Sequence, residues 1–320
     1  MENRGLMALT MTLNELKYVV AVAQTQHFSK AADLCNISQP SLSIAIKKLE
    51  DELGITIFQR GKRKIDITAT GMEVVQQAQR VVEEADKLNY LKNKQKKPLE
   101  GIIRLGAIFT IGPYLFPSLI PQIRKSHPQM PLHIDEDYTE NLRKKLLQAE
   151  IDIAVLALPF SDPSLETLEI YTEDFIPLFY DSHPFSKQSK IAVDDISPDE
   201  LLMLGRGNCF RDQVIAACPK CLSPKSRSED WVVGSSLETI RHMVAMKLGI
   251  TVLPITALAK QTDYPGLDSR PFAPPVPQRR IVLAWRASFP RKEAIMVIAK
   301  CLQQALKDQV DLLPIDKQLS

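Results

Sequence analysis

Apolar positions in the first ninety residues recur at helical spacing. Leu13, Leu16, Val19/Val20 and Ala23 mark one helix, and residues 29–34 a second, short one in which Ala31 and Ala32 allow close packing. A tight turn at Cys35-Asn36-Ile37 leads to a third helix. Ser38 has the oxygen an N-cap needs, and Pro40 falls in the first turn, where its missing N–H costs nothing. Leu42, Ala45/Ile46, Leu49 and Leu53 make that helix's buried stripe. Ser38, Gln39, Pro40, Ser41, Ser43, Lys47 and Lys48 are left off it, with donors to offer base edges and phosphates. Residues 58–67 read as strand-turn-strand with Arg60, Lys62, Arg63 and Lys64 around the turn. From Gly71 one long helix is predicted. Val74, Ala78, Val81, Ala85 and Leu88 alternate steps of four and three, the seam of a coiled coil, with Val75, Val82 and Leu91 widening it. Residues 92–98 are a lysine-rich hinge ending in Pro98.

Beyond the hinge the pattern changes to short continuous apolar runs. Strands at 102–107, 132–134 and 151–157 alternate with helices at 115–125 and 142–148, which predicts a parallel sheet wrapped by helices. A second such unit starts near 172. Ser235-Ser236-Leu237-Glu238 reads as a capping box for a helix at 240–248, Gly249 as its stop and 250–254 as the next strand. A strand at 281–285 and a helix from Lys292 return to the first lobe. The fold class is therefore α/β, in two lobes, behind a helical N-terminal domain of residues 11–70 and a linker helix and hinge of residues 71–97. The two-lobed α/β part is residues 98–320.

Composition narrows the class. With 320 residues the chain suits more than one core, and 45% hydrophobic with 24% charged residues is the balance of a globular protein. No apolar run approaches the roughly 20 residues of a membrane span, and the N-terminus lacks the apolar core of a secretory signal. Translation beginning at Met7 or Met11 fits equally well. A cytoplasmic, reducing location is expected. The net charge of +2 is uneven: residues 1–97 hold 15 Lys/Arg against 11 Asp/Glu. A helix-turn-helix spacing followed by a basic hairpin makes double-stranded DNA the expected partner, where a lone helix-turn-helix pattern would leave a solvated helical bundle equally open.

Three of the five cysteines crowd into Cys209 to Cys221. Without a signal peptide such thiols point to chemistry more than to stapling. Arg211 puts a fixed positive charge two residues from Cys209, which favours its thiolate. Residues 211–217 read as helical, and Pro219 ends them. If the whole interval were helical, Cys209 and Cys218 would stand about 13.5 Å apart. A disulfide needs Cα atoms within about 7 Å, so joining them requires the helix to unwind or bend. Cys221 completes a C-x-x-C with Cys218; an incidental thiol is the preferred reading, a competing or second resolving thiol the other. Cys35 and Cys301 read as small apolar fillers. The histidines show no metal spacing, and neither a metal nor another cofactor is expected.

The run Phe28-Ser29-Lys30-Ala31-Ala32-Asp33-Leu34, then Ile37 to Ser43, Ile46-Lys47-Lys48-Leu49-Glu50, and Leu53-Gly54 through Phe58-Gln59-Arg60 to Thr68-Ala69-Thr70-Gly71 resembles the LysR-type transcriptional regulators. That resemblance implies a winged helix-turn-helix, a dimerising linker helix and a two-lobed, periplasmic-binding-protein-like effector domain. Gly207-x-Cys209-Phe210-Arg211-Asp212-Gln213 with Cys218 nine residues on is similar to the hydrogen-peroxide-sensing OxyR subfamily. Thr110-Ile111-Gly112-Pro113-Tyr114-Leu115, Thr139, Ser236-Leu237-Glu238-Thr239 and Gly249 to Pro254 support it.

By that resemblance Cys209 attacks peroxide to give a sulfenic acid and Cys218 resolves it, while Thr110, Thr139, Asn208 and Arg211 surround the peroxide. It also implies a homotetramer built as a dimer of dimers, hydrogen peroxide as effector and RNA polymerase as a further partner, with no membrane association and no enzymatic turnover. Two positions depart from the pattern. Asn208 stands where histidine is common before the reactive cysteine, and Glu140 follows Thr139 where histidine is also often seen. Both put proton delivery and peroxide affinity in doubt. Two rivals stand at this point: a LysR-type regulator sensing a metabolite in the cleft between lobes, and a thiol peroxidase.

Overall fold

Thr12 opens the first helix by accepting the Glu15 amide at 3.2 Å while the Glu15 carboxylate takes the Thr12 amide at 2.7 Å, so two orphan donors are satisfied at once. The structure, a computed structural model, describes residues 10–60, 65–92, 99–222, 233–234, 236–258 and 265–315, and the backbone alone for Arg60, residues 86–92, 221–222 and 233. They fall into two compact units, one built chiefly on the chain up to Lys97 and one on the chain from Pro98.

In the first unit α1 (Leu13–Thr25), α2 (Phe28–Leu34) and α3 (Gln39–Leu53) are followed by the antiparallel pair β1 (Phe58–Arg60) and β2 (Ile65–Ile67), then by α4 (Ala69–Lys92). Ser38 caps α3 by accepting the Ser41 amide at 3.2 Å, as its sequence position predicts, and Gly54 ends the helix at φ 65°. The Glu50 carboxylate then accepts the Ile57 and Phe58 amides at 2.6 and 3.0 Å, tying α3 to the hairpin. Leu16, Val19 and Val22 of α1, Leu42, Ile46 and Leu49 of α3, and Val75, Ala78 and Val82 of α4 form the core.

Two expectations change here. Leu53, placed on the buried stripe by periodicity, is the last residue of α3 and is 37% exposed. On α4 the expected seam splits. Val75 and Val82, expected only to widen it, are the buried pair because α1 packs on their side, whereas Val81 is exposed and Val74 half-buried. The side chains of Leu88 and Leu91 lie outside the described residues.

The second unit begins with β3 (Ile103–Ile108), α5 (Gly112–Ser126), β4 (Leu132–Asp137), α6 (Thr139–Leu147), β5 (Ile153–Ala157) and β6 (Leu165–Tyr180). It continues through β7 (Met203–Leu204), α7 (Cys209–Ala217), β8 (Val233–Gly234), α8 (Leu237–Ala245), β9 (Thr251–Pro254), α9 (Ile255–Leu258) and β10 (Leu267–Ser269). β11 (Gln278–Arg286), α10 (Lys292–Leu306) and β12 (Asp311–Leu312) close it. β3 pairs parallel with β4 and β5, as the alternation predicts. The sheet as a whole is mixed, because β11 returns antiparallel beside β5 and β6.

The second lobe's parallel pairing starts later than 172, with β7 beside β8 and Leu201 bridging Ile250. One strand, β6, runs through both lobes, its first half against β11 and its last half against β9 and β10. The return to the first lobe is as expected, with α10 packed on α5. Leu178, Phe179, Ile240, Val244, Ile250 and Leu253 gather the core of the second lobe, joined by three residues of the thiol segment, Phe210, Val214 and Cys218.

α8 starts differently from expectation. Ser236 Oγ accepts the Thr239 amide at 3.2 Å, and the Glu238 carboxylate accepts the Tyr114 phenol at 2.7 Å; Ser235 lies outside the described residues. The helix ends at Ala245, and Lys247 takes the left-handed turn at φ 60°. Gly249 has another reason to be glycine: a Cβ there would meet the Glu200 carbonyl at 2.3 Å. Among the described residues no helix is long and apolar enough to cross a membrane.

Candidate functional site

Gly207, at φ 92°, turns the chain so that α7 starts abruptly after it, a conformation L side chains rarely adopt. Asn208 is the N-cap residue by backbone, yet its amide is buried and donates to the Gly205 carbonyl at 3.2 Å instead of capping the helix. Cys209 is the first residue of α7 and is half-buried, and Cys218 is the C-cap, 5% exposed, with its thiol 3.9 Å from the Val193 carbonyl. Phe210 and Val214 anchor the helix in the second lobe's core, and the Phe210 ring meets Phe175 edge-on at 5.0 Å. The two thiols therefore sit at opposite ends of an intact, core-anchored helix. That agrees with the expected interval of about 13.5 Å, well beyond what a disulfide spans.

At the N-terminal end of α7, Cys209, Asn208 and Gly207 face Thr110 after β3, Asp137 at the end of β4 and Thr139 at the start of α6 across a small cavity. Its free space of ≈ 10 Å³ takes about one water-sized molecule. Arg279 of β11 organises the far wall. It donates to the Thr110 hydroxyl at 2.8 Å and the Thr110 carbonyl at 3.0 Å, and its Nε donates to Glu173 of β6 at 2.8 Å. Both partners are buried, at 3% and 1% exposure, and the second Glu173 oxygen accepts the Thr256 hydroxyl at 2.6 Å. The guanidinium also lies 4.9 Å over the Phe210 ring. Because the Thr110 oxygen accepts from Arg279, its own proton is free to be donated into the cavity. The Thr139 hydroxyl is buried and has no hydrogen-bond partner among the described residues. An orphan hydroxyl, a hydroxyl with its proton free and a thiol around one-molecule space suit a small ligand that both donates and accepts.

Four of the predicted pocket residues, Thr110, Thr139, Asn208 and Cys209, do meet. Arg211 does not join them. Two residues into α7, about half a turn round from Cys209, Arg211 lines a separate cavity with Leu202, Met203 and Leu204, and Arg279 supplies the buried cation of the wall instead. Glu140 also points elsewhere, its carboxylate held by Arg143 at 2.8 and 2.9 Å. Sequence reasoning missed Arg279 and Glu173. The available signal was a charged doublet, Arg279-Arg280, leading directly into the apolar run of β11. Burial pushes the Cys35 thiol up, against thiolate chemistry there, and Cys301 lies half-buried with its sulfur 3.8 Å from the Ser126 hydroxyl. The side chain of Cys221 lies outside the described residues.

On α3, Gln39, Pro40, Ser41 and Lys47 are exposed as predicted and Ser43 half-exposed. Several of their polar groups have local partners: Ser38 and Ser41 hydroxyls at 2.7 Å, and the Gln39 amide on Ser43 at 3.0 Å. Lys48, also expected to face phosphates, pairs with Glu15 of α1 at 3.3 Å. Lys62, Arg63 and Lys64 and the Arg60 side chain lie outside the described residues.

Residues 13–72 match the bacterial regulatory helix-turn-helix proteins of the lysR family, and residues 96–307 match the LysR substrate binding domain. Among curated proteins the chain is 33% identical over 301 residues to the DNA-binding transcriptional dual regulator OxyR of Escherichia coli K12, covering 94% of this chain and 98% of that one. It is 32% identical over 303 residues to a hydrogen peroxide-inducible genes activator of Pectobacterium carotovorum, covering 95% and 99%. Among solved structures, a full-length OxyR cysteine-to-aspartate variant from Pseudomonas aeruginosa is 44% identical with a TM-score of 0.87, over 96% of this chain and 100% of that one. A hydrogen-peroxide-bound cysteine-to-serine variant of Corynebacterium glutamicum OxyR is 32% identical with a TM-score of 0.62, over 93% of each chain.

Proposed function

The chain belongs to the LysR family of bacterial regulatory helix-turn-helix proteins and, within it, to the OxyR hydrogen peroxide-inducible activators, and from that premise we propose that Cys209 is its peroxide-reactive thiol and Cys218 its resolving thiol. The observation that carries this reading is the cavity at the start of α7. There the partnerless Thr139 hydroxyl and the Arg279-held Thr110 hydroxyl face Cys209 across room for one small molecule. The Cys209 thiolate attacks one oxygen of HO–OH and the O–O bond breaks, leaving Cys209–SOH and hydroxide. The Cys218 thiol then displaces the hydroxyl, giving the disulfide and water. Hydrogen bonds from Thr110 and Asn208 orient the peroxide and stabilise the departing oxygen. The thiol-peroxidase rival falls away, since the relatives are transcription regulators and residues 13–72 have no part in it. The metabolite-sensing rival would use a different and larger space, the open cleft of ≈ 790 Å³ lined by Leu158, Phe175, Gln213 and Arg279, and the disulfide mapping below decides between the two.

In this reading residues 11–70 bind operator DNA through α3 and the β1–β2 wing, with Ser38, Gln39, Pro40, Ser41, Ser43 and Lys47, then Arg60, Lys62, Arg63 and Lys64, at the interface. Residues 71–97 dimerise, which the exposed Val81 beside the half-buried Val74 supports. Residues 98–320 form a two-lobed, periplasmic-binding-protein-like sensor. Dimers pair into a homotetramer in the cytoplasm, and unwinding of α7 rearranges subunits, half-site spacing and access for RNA polymerase.

The experiment that tests the assignment is stoichiometric peroxide followed by peptide mapping of disulfides, beside a footprint of each redox state. A Cys209–Cys218 crosslink with an altered footprint is expected; no crosslink would favour a cleft metabolite. Two variants refine it. Thr139→Val is expected to slow oxidation about tenfold while leaving stability near wild type, because the hydroxyl it removes is unpaired in the resting state. Stopped-flow peroxide kinetics and a denaturant midpoint read both effects. Lys47→Ala is expected to weaken DNA binding uniformly across sequences and to lower the slope of log affinity against log salt by about one, measured by titration at several salt concentrations.

A further inference from the structure

The outward face of α3 carries an apolar group where a solvated helix has no use for one. Leu42, Ile46 and Leu49 set the buried direction of this helix. At about 100° per residue, the opposite direction runs through Pro40, Ile44, Lys47 and Asp51. Ile44 lies near its centre and is 70% exposed. Gln39 and Ser43 flank it on one side, Ser41 and Lys48 on the other, so it sits in the middle of the polar groups a major groove would meet. The helix gains nothing from it, since a β-branched residue at an exposed helical site is a poorer helix former than alanine. Nor does it join the hydrophobic core of its own domain.

We infer that Ile44 reads the 5-methyl group of a thymine in the operator. Among groups displayed in the major groove that methyl is the apolar one, and an aliphatic side chain at this depth can meet it while Gln39, Ser41 and Ser43 address the neighbouring donors and acceptors. Pro40, one turn earlier on the same face and also exposed, extends the apolar strip, so the contact excludes water along one side. The Lys47 ammonium, one turn later, is placed for a phosphate. Ile44 is thus a specificity-determining residue: it favours a T·A step at one position of each half-site over pairs that offer a polar group there.

This inference rests on the reading of α3 as the DNA-contacting helix, and the two fail differently. The full-length protein is used to select duplexes from a random pool, and each thymine of the selected site is then replaced in turn by deoxyuridine, which lacks only the methyl group. The expected result is one thymine per half-site whose replacement costs the wild-type protein about fourfold in affinity, the worth of one buried methyl, and costs Ile44→Ala nothing. Ile44→Val, which keeps two methyls, retains the discrimination, and an unchanged melting profile excludes misfolding. If no thymine is more sensitive in wild type than in Ile44→Ala, the inference is overturned while the DNA-contacting reading stands. If the wild-type protein selects no sequence and binds none, both are overturned.

Discussion

Cys209→Ser is expected to leave the protein folded, able to bind DNA and indifferent to peroxide. Serine preserves the shape of the residue at the first turn of α7 and removes the one atom that peroxide can oxidise there. Mapping after peroxide should return Cys218 as a free thiol, and the reduced footprint should persist at every dose. An unchanged transcriptional response in this variant sinks the assignment. Cys218→Ser behaves differently, because the first step survives. The sulfenic acid forms, can be trapped with a dimedone-type reagent, and persists for want of the buried partner. The footprint then separates oxidation from the conformational change, since Cys218→Ser is oxidised without unwinding α7.

Arg279→Met is expected to cost the regulatory unit about 3–5 kcal/mol, because it leaves the Glu173 carboxylate buried without its cation. The Thr256 hydroxyl still donates to that carboxylate, which places the loss toward the lower end of the range. Urea unfolding of the full chain, followed at the Trp285 region of the same sheet, reads the shift. A double variant with Glu173→Gln should recover part of it, since the pair is then replaced by neutral groups and no charge is stranded. Full recovery of stability with peroxide kinetics still slowed would separate two roles of Arg279, holding the sheet and holding the Thr110 hydroxyl. A variant as stable as wild type would contradict the buried-pair geometry.

The helical N-terminal unit is legible in the sequence because its determinants are local. The Ser38 cap, Pro40, the Leu42-Ile46-Leu49 stripe and the Gly54 stop all lie within one short segment. Local pattern misled where a partner decides the face: Val75 and Val82 are buried because α1 covers them, and nothing in the spacing of α4 alone distinguishes them from Val74 and Val81. The sheet was half legible. Parallel β3, β4 and β5 follow from alternation, but β11 pairs with β5 across more than a hundred residues of sequence, and no short window records that. The cavity shows the same divide. Cys209 and Asn208 announce themselves by motif, Thr110 and Thr139 by resemblance, whereas Arg279 reaches Thr110 from a strand 169 residues away. A charge leading into an apolar strand is a signal that something charged is buried nearby, but not of what it holds.

In the proposed Cys209–Cys218 cycle, the anchoring of α7 also bears on the return journey. Phe210, Val214 and Cys218 belong to the second lobe's core, so a disulfide that draws them out exposes apolar surface worth about 1.5–3 kcal/mol for each large side chain. At roughly 30 mV per 1.4 kcal/mol for a two-electron couple, every such side chain displaced makes the disulfide more oxidising by some tens of millivolts. The oxidised state is then held under tension by the protein's own interior. A reductant has only to open one covalent bond, and the core reclaims the helix without further assistance, so the signal ends when the oxidant does.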